Sequence, residues 1–349
     1  VKAGARNDLT DVPGVLVGQY QRIGHGWLTG TTVVVPPAAT VGGVDVRGGG
    51  PGTRETELLD PMNMVERVDA ICLSGGSSYG LATASGVADW VGEQHMGFRV
   101  GPEPHHVVPI VPAAVLFDLG AGGQFQNRPT ADFGRRAAAS ARSRRIIQGV
   151  AGAGTGARAG GLKGGIGSAS AVLDDGTTVA ALAAVNSGGS TVDPTTGELY
   201  GARFALAGEF AGVRRPIRRE LRDHLAVPWK PPSLNTTLVV VATDARLTKA
   251  ECRRLAIAGQ DGMTRAINPI HLLTDGDVVF ALATGARELP EPPEMGVIQA
   301  TSRRPRQVNA VLAVAGDVVA RAIAHAVWAA QSVAGIPSYR ERFPSAVSR

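Results

Sequence analysis

Seven short apolar runs separated by glycine-rich turns limit this 349-residue chain more than any other feature of its sequence. Residues 15–20, 30–35, 70–73, 107–117, 178–185, 238–242 and 278–283 are mostly rich in β-branched side chains and bounded by turn formers, the pattern of strands. Several lack polar alternation and so predict strands buried on both faces, which demands a layer on each side of the sheet. Helical spacing fills the intervals, over 81–93 after a glycine-rich turn, over 131–143 behind Thr130 as a cap, and over 249–267. The last of these opens with Thr248-Lys249-Ala250-Glu251, a capping box in which each end satisfies an orphan backbone donor. Further on, Val308, Val311, Leu312, Ala315, Val319, Ala322, Ile323, Ala326 and Ala330 trace one long amphipathic helix. On its other side Asp317, Arg321 and His325 fall four apart, a polar face with an ion pair. Strands and helices in mixed order make the fold α/β or α+β, with sheets covered by helices. The periodicity does not choose between the two.

Composition narrows the classes of function. With 44% hydrophobic residues the chain can bury a real core, and no linker separates two cores, so residues 1–349 are expected to form one domain. Its 46 glycines and 22 prolines show neither a collagen period nor a solenoid repeat. The longest apolar runs fall far short of the roughly 20 residues of a membrane helix. The first residues carry no basic-then-apolar signal pattern, and Cys72 and Cys252 lie in strand-like and helix-like segments, not in a disulfide framework. The expectation is a soluble cytoplasmic protein with no membrane contact. A net charge of +5 comes from 35 basic and 30 acidic residues, and only Lys2, Lys163, Lys230 and Lys249 among the basic ones are lysines. The arginines cluster at 142–145, 214–222 and 303–306 without interleaved aromatics or a nucleic-acid motif, and read as a solvated face or a subunit contact.

Three motifs compete for the chemistry. Gly76-Ser77-Ser78-Tyr79-Gly80 fits G-x-S-x-G between a strand and a helix, the setting of an esterase nucleophile elbow with Ser78 as nucleophile and His224, His271 or His325 as downstream partner. Arg47-Gly48-Gly49-Gly50 superficially matches an esterase oxyanion loop and equally reads as a glycine-rich turn. A second motif, Gly152 to Gly156 with Gly160 to Gly167, surrounds Lys163; because Gly164 follows that lysine, it is not a phosphate loop, and no cofactor is called for. It leaves a backbone able to approach a ligand closely. The third is Ser233-Leu234-Asn235-Thr236-Thr237 entering the apolar run 238–242. This is either a loop end or a self-cleaving site, in which the Thr236 hydroxyl attacks the Asn235 carbonyl and the freed α-amine, with an ordinary pKa of about 7.7–8.0, then serves the hydroxyl as base. Downstream, Asp275 and Asp277 in Thr274-Asp275-Gly276-Asp277 offer two carboxylates, or a D-G turn, or half a calcium loop without its other oxygen ligands.

Taken together, Asn235-Thr236-Thr237, Asp275 to Phe280, Ser74 to Leu81 and Gly154 to Gly167 resemble the DmpA-type aminopeptidase family, which includes nylon-oligomer hydrolases, from about Asp11 through Tyr339. The resemblance implies the αββα sandwich of the N-terminal-nucleophile hydrolases. It also implies a precursor that cuts itself into a large chain, 1–235, and a small chain, 236–349, and works as a homo-oligomer on a small peptide or amide, without metal or cofactor. By the same resemblance Thr236 is the nucleophile, Asn235 the new C-terminus, Asn186 the oxyanion donor, Asp275 and Asp277 the pair beside the nucleophile, and Tyr79 and Lys163 site residues. Peptide-cleaving members mostly carry Gly-Ser and a Ser-x-Glu pair, whereas Asn-Thr and Asp-Gly-Asp are closer to the nylon-oligomer members. Three other readings stand beside this one: a self-cleaving acetyltransferase of the ornithine type, the Ser78 esterase, and an uncleaved, non-catalytic homologue.

Overall fold

The computed structural model describes residues 1–228, 234–289 and 303–347. Ser233 and the side chain of Arg303 lie outside them. The strands are β1 (Leu16–Gly24), β2 (Trp27–Val35), β3 (Val41–Val46), β4 (Gly52–Arg54), β5 (Ile71–Ser74), β6 (Phe98–Arg99), β7 (Val107–Val108), β8 (Ala113–Val115), β9 (Arg158–Ala159), β10 (Leu162–Lys163), β11 (Gly165–Val172), β12 (Thr178–Asn186), β13 (Thr236–Ala245) and β14 (Val278–Arg287). The helices of eight residues or more are α1 (Ala82–Glu93), α2 (Ala131–Ala139), α3 (Arg218–Leu225), α4 (Lys249–Ala266) and α5 (Arg303–Ala329).

Two five-stranded sheets, ordered β1-β2-β5-β8-β4 and β11-β12-β13-β14-β3, stack face to face with helices outside each. The period of two along each strand sorts its side chains between the layers. Leu238, Val240, Phe280 and Leu282 point between the sheets and meet Val34, Ile71, Leu73 and Leu116. Val239, Val241, Val279 and Ala281 point outward against Leu255 and Met263 of α4 and Val319 and Ile323 of α5. Across the other sheet, Val33, Cys72 and Ala113 pack on Val87 and Val91 of α1 and Ala137 and Ala138 of α2. This is the αββα arrangement, and it accounts for apolar runs without alternation, since both faces of these strands are covered. Each buried Val or Leu contributes about 1.5–3 kcal/mol. A charge at Val240, fully buried between the sheets, would therefore break the fold.

Several expectations change in detail. The run 107–117 is two short strands, β7 and β8, because Pro109 and Pro112 remove ladder donors between them. Helix α2 stops at Ala139, and Thr130 takes an extended N-cap backbone without a side-chain capping bond. The capping box of α4 forms as read. On α5 the row Asp317, Arg321, His325 makes no ion pair within itself: Asp317 pairs with Arg265, while Arg321 and His325 both meet Glu209. By length and composition the segment Arg304–Ala329 could cross a membrane, but in its most apolar stretch of 18 residues, with a mean hydropathy of 1.7, 67% are buried in the fold. Helix α3, in the arginine cluster 214–222, buries no residue and is a solvated face.

Strands β3 and β11 escape the sequence reading because both are rich in small residues. The reason is close approach of helices. A Cβ on Gly43 would come within 2.7 Å of the α4 backbone at Arg253, and one on Gly167 within 2.0 Å of the Ala322 carbonyl oxygen of α5.

Candidate active site

Thr236 is the first residue of β13, with its neighbours fixed by register. Asn186, the last residue of β12, is its antiparallel partner, so both side chains stand on the same face, the one turned toward the other sheet. On the other flank β14 runs parallel to β13, and the turn preceding it, 272–277, closes over the start of β13. Here Asn235 donates its N–H to the Thr274 carbonyl (3.1 Å), and its own carbonyl oxygen accepts from the Gly276 N–H (2.8 Å). That same oxygen accepts from the Thr236 hydroxyl at 2.6 Å. The Asn235 carbonyl is therefore gripped by two donors, one of them the group expected to attack it.

Glycine is required in this turn by space. A Cβ on Gly276 would stand 2.6 Å from Thr236 Oγ1. One on Gly48 would stand 2.3 Å from both the Asp275 carbonyl oxygen and the Asp277 nitrogen. The run Arg47 to Gly50 binds the turn through its backbone, with Gly50 N–H on the Asp275 carbonyl at 2.8 Å and Arg47 N–H on the Asp277 carbonyl at 3.0 Å. It is a glycine-rich turn serving Thr236, not an esterase oxyanion loop.

The two carboxylates differ. Asp277 accepts from the Thr237 N–H at 2.7 Å through Oδ1, and its Oδ2 meets the His271 N–H and Nδ1 at 3.2 and 2.9 Å. Asp275 accepts from the Leu272 N–H at 2.8 Å through Oδ2, whereas its buried Oδ1 has no hydrogen-bond partner among the described residues. Burial pushes the Asp275 carboxyl above the ordinary aspartate range, opposed by the Leu272 N–H and reinforced by the charge of Asp277.

Asn186 faces a cleft of about 270 Å³, lined also by Phe117, Asp118, Gly120 and Arg158. Its Oδ1 accepts from the Arg158 N–H at 2.9 Å and its Nδ2 donates to the Phe117 carbonyl at 3.1 Å. An amide nitrogen carries two hydrogens, so one remains after that bond. Lys163 is fully buried, and its Nζ donates to the carbonyls of Gly154, Ala157 and Gly164 at 2.8–2.9 Å. The glycine-rich run is thus wrapped around an ammonium group. Burial pushes Lys163 down to about 7 against the opposing charge of nearby Asp118, and burial raises Asp118 to about 7 against its bonds and Lys163.

The site residues read from the sequence therefore gather in two linked groups: Asn235, Thr236, Asn186, Asp275 and Asp277 around the start of β13, and Lys163 behind Asn186. Tyr79 is half exposed, with the Arg128 guanidinium 3.7 Å above its ring, on the turn whose Gly76 N–H bonds Asp118 at 2.7 Å. Ser78 is exposed, and among the described residues no hydrogen bond joins it to a histidine. His271 is on Asp277, His325 on Glu209, and His224 packs against Phe343. The esterase constellation is not assembled. Sequence reasoning missed Asp118 and Arg158, and it gave His271 no place beside Asp277.

A family model described as Peptidase family S58 matches residues 7–340. An uncharacterized aminopeptidase of Mycobacterium tuberculosis is 52% identical over 97% of this chain and 99% of its own length. A 6-aminohexanoate-oligomer endohydrolase of Kocuria sp. is 31% identical over 90% of this chain and 84% of its own. Among solved structures, a Burkholderia sp. beta-aminopeptidase superposes with a TM-score of 0.73 at 24% identity, covering 99% of this chain and 95% of that one. An L-aminopeptidase D-Ala-esterase/amidase from Ochrobactrum anthropi, described as a variant of the Ntn hydrolase fold, gives 0.71 at 20% identity, covering 99% and 94%. The fold is therefore that of the Ntn hydrolases, and the chain belongs to Peptidase family S58 and is a hydrolase of amide bonds.

Proposed function

We propose that this hydrolase makes its own nucleophile by cutting the Asn235–Thr236 bond, and then acts on small peptides or other amides as an aminopeptidase or amide-oligomer hydrolase. The observation that carries the reading is the double grip on the Asn235 carbonyl oxygen by Gly276 N–H and Thr236 O–H. In the first step Thr236 Oγ1 attacks the Asn235 carbonyl carbon, and the Gly276 N–H bears the charge developing on its oxygen. The C–N bond breaks, the hydroxyl proton ends on the Thr236 nitrogen, and an ester links Asn235 to Oγ1. Water then cleaves the ester, releasing the Asn235 carboxylate and a free α-amine at Thr236.

In the mature enzyme that amine takes the Thr236 hydroxyl proton as Oγ1 attacks a substrate amide, and passes it to the leaving amine. Asn186 supplies its uncommitted Nδ2 hydrogen to the oxyanion. Asp277 holds β13 through the Thr237 N–H, while Lys163 shapes the turn that carries Arg158 and so positions Asn186. Tyr79 belongs to the rim where substrate enters. The partner of each large fragment is its own small fragment, and the working form is a homo-oligomer in the cytoplasm that engages neither nucleic acid nor membrane.

Intact-mass measurement and a denaturing gel test this. Wild-type protein should yield a 235-residue piece and the 114 residues from Thr236 to the end of the 349-residue chain, co-purifying because β13 lies in the middle of its sheet. Thr236→Ala should stay intact. Cleavage persisting in that variant would remove Thr236 from the mechanism.

A further inference from the structure

The cleft beside Asn186 contains a charge that the amide chemistry does not use. Two ionisable groups, Asp118 and Arg158, line it, and Lys163 lies fully buried near Asp118. Lys163 is spent on three backbone carbonyls, and its charge faces that of Asp118, which itself accepts from Gly76 N–H. Arg158 is different. Its backbone N–H holds Asn186 Oδ1, yet its half-buried guanidinium has no hydrogen bond or ion pair among the described residues. On β9 the next residue, Ala159, is buried against the outer helices, so Arg158 points to the opposite side, where it lines the cleft. Guanidinium presents a planar fork of donors that matches a carboxylate in bidentate fashion. A free fork on the residue whose own N–H holds the oxyanion donor, in a cleft lined also by Asp118 with Lys163 buried behind it, is a receptor for an anionic group next to the scissile carbonyl.

We infer that Arg158 reads a carboxylate on the substrate, so that the preferred substrates are small amides or peptides bearing a free carboxylate within about one residue of the bond cut. This rests on the proposed amide hydrolysis at Thr236 and adds the substrate class to it. The carboxylate has two sources, a chain-terminal one or an acidic side chain, and the chemistry of recognition is the same for both.

The test uses self-processed full-length protein and two matched series. One compares dipeptides with their C-terminal carboxamides. The other compares dipeptide carboxamides ending in Glu with those ending in Gln. Wild type should favour the acid member of at least one series by about 10- to 100-fold in kcat/KM, the range for a charge-assisted bidentate contact. The series showing the preference identifies the source of the carboxylate. Arg158→Gln should bring the two members of that series to the same kcat/KM, and Arg158→Lys should keep part of the preference, since it retains charge without the fork. Equal turnover of acids and amides by wild type, or a preference that survives Arg158→Gln, overturns the inference while leaving Thr236 chemistry intact. If no member is turned over, the Thr236 reading fails separately, and calorimetric binding of the same pairs decides the matter. Acid-selective binding that Arg158→Gln abolishes upholds the receptor, and unselective or absent binding rejects it.

Discussion

Two buried clusters of charge in this molecule have similar ingredients and opposite finish. On the outer side of the β11–β12 sheet, Glu209 meets Arg321, His325 and Asn7, and Arg321 also reaches the Ser170 carbonyl, so the charges are matched and hydrogen-bonded. Burial would raise the Glu209 carboxyl, but the hydrogen bonds from His325 and Arg321 and the charge of Arg321 outweigh it and hold it well below the usual range. At the start of β13 the segment 271–277 also holds two buried carboxylates and a partly buried histidine, yet Asp275 Oδ1 and His271 Nε2 have no partner among the described residues. A satisfied cluster fastens α5 to the chain's first residues. An unsatisfied one lies beside Thr236, the proposed nucleophile, and buried groups left without partners are where perturbed chemistry is expected. On the proposed function, stability and reactivity are therefore placed on different faces of one sheet.

Breaking the first cluster should have the largest effect on stability and little on processing. Glu209→Ala leaves Arg321, which is 1% exposed, without its counter-ion, a change that costs about 3–5 kcal/mol. Denaturant titration should show that loss, while cleavage at Asn235 proceeds in whatever fraction remains folded. A variant as stable as wild type would show that the cluster does not fasten α5.

A smaller free-energy change should come from the second region, and it should appear in rate. Asn186→Ala, assayed on protein already processed, should lower kcat by about 10² to 10³ with KM nearly unchanged, as expected for a donor acting mainly in the transition state. Unchanged kcat would reduce Asn186 to a strut between Arg158 and Phe117.

The contrast also explains what the sequence could reveal. Strands β12, β13 and β14 were legible because burial on both faces leaves a continuous apolar run, and the capping box of α4 is local to four residues. Thr236 and the Asp-Gly-Asp turn were legible as motifs, since each is contiguous. Gly43 and Gly167 hid β3 and β11, because the pressure that selects them comes from helices far away in sequence. Asp118 and Arg158 were illegible for a related reason. Each is a lone charged residue in an ordinary loop or strand, and only folding brings them to Asn186. The polar row on α5 was visible, but its partner Glu209 lies more than a hundred residues away, so an ion pair was expected within the row.

The smallest expected effect sharpens the contrast most, because it has the opposite sign. Asp275→Asn keeps an oxygen for the Leu272 N–H and replaces a buried charge by a neutral amide of the same shape. The charged form is penalised by burial, so the folded-state pKa lies above the unfolded value of about 3.9. Between those two values the folded chain holds more protons than the unfolded one, and wild-type stability falls as pH rises through that window. Below it the carboxyl is protonated in both states and the penalty vanishes. The variant lacks this titration. It should match wild type at the acid end of the window, gain on it as pH rises, and level off above the folded pKa with an advantage of about 1 kcal/mol, at the lower edge of the usual cost of an unsatisfied buried polar group. Thermal or urea unfolding from pH 3.5 to 8 measures the difference, alongside amide turnover, which should fall if the carboxylate supports the Thr236 amine. A variant less stable than wild type at neutral pH would mean that Asp275 is held as firmly as Glu209, and the distinction between the two clusters would fail.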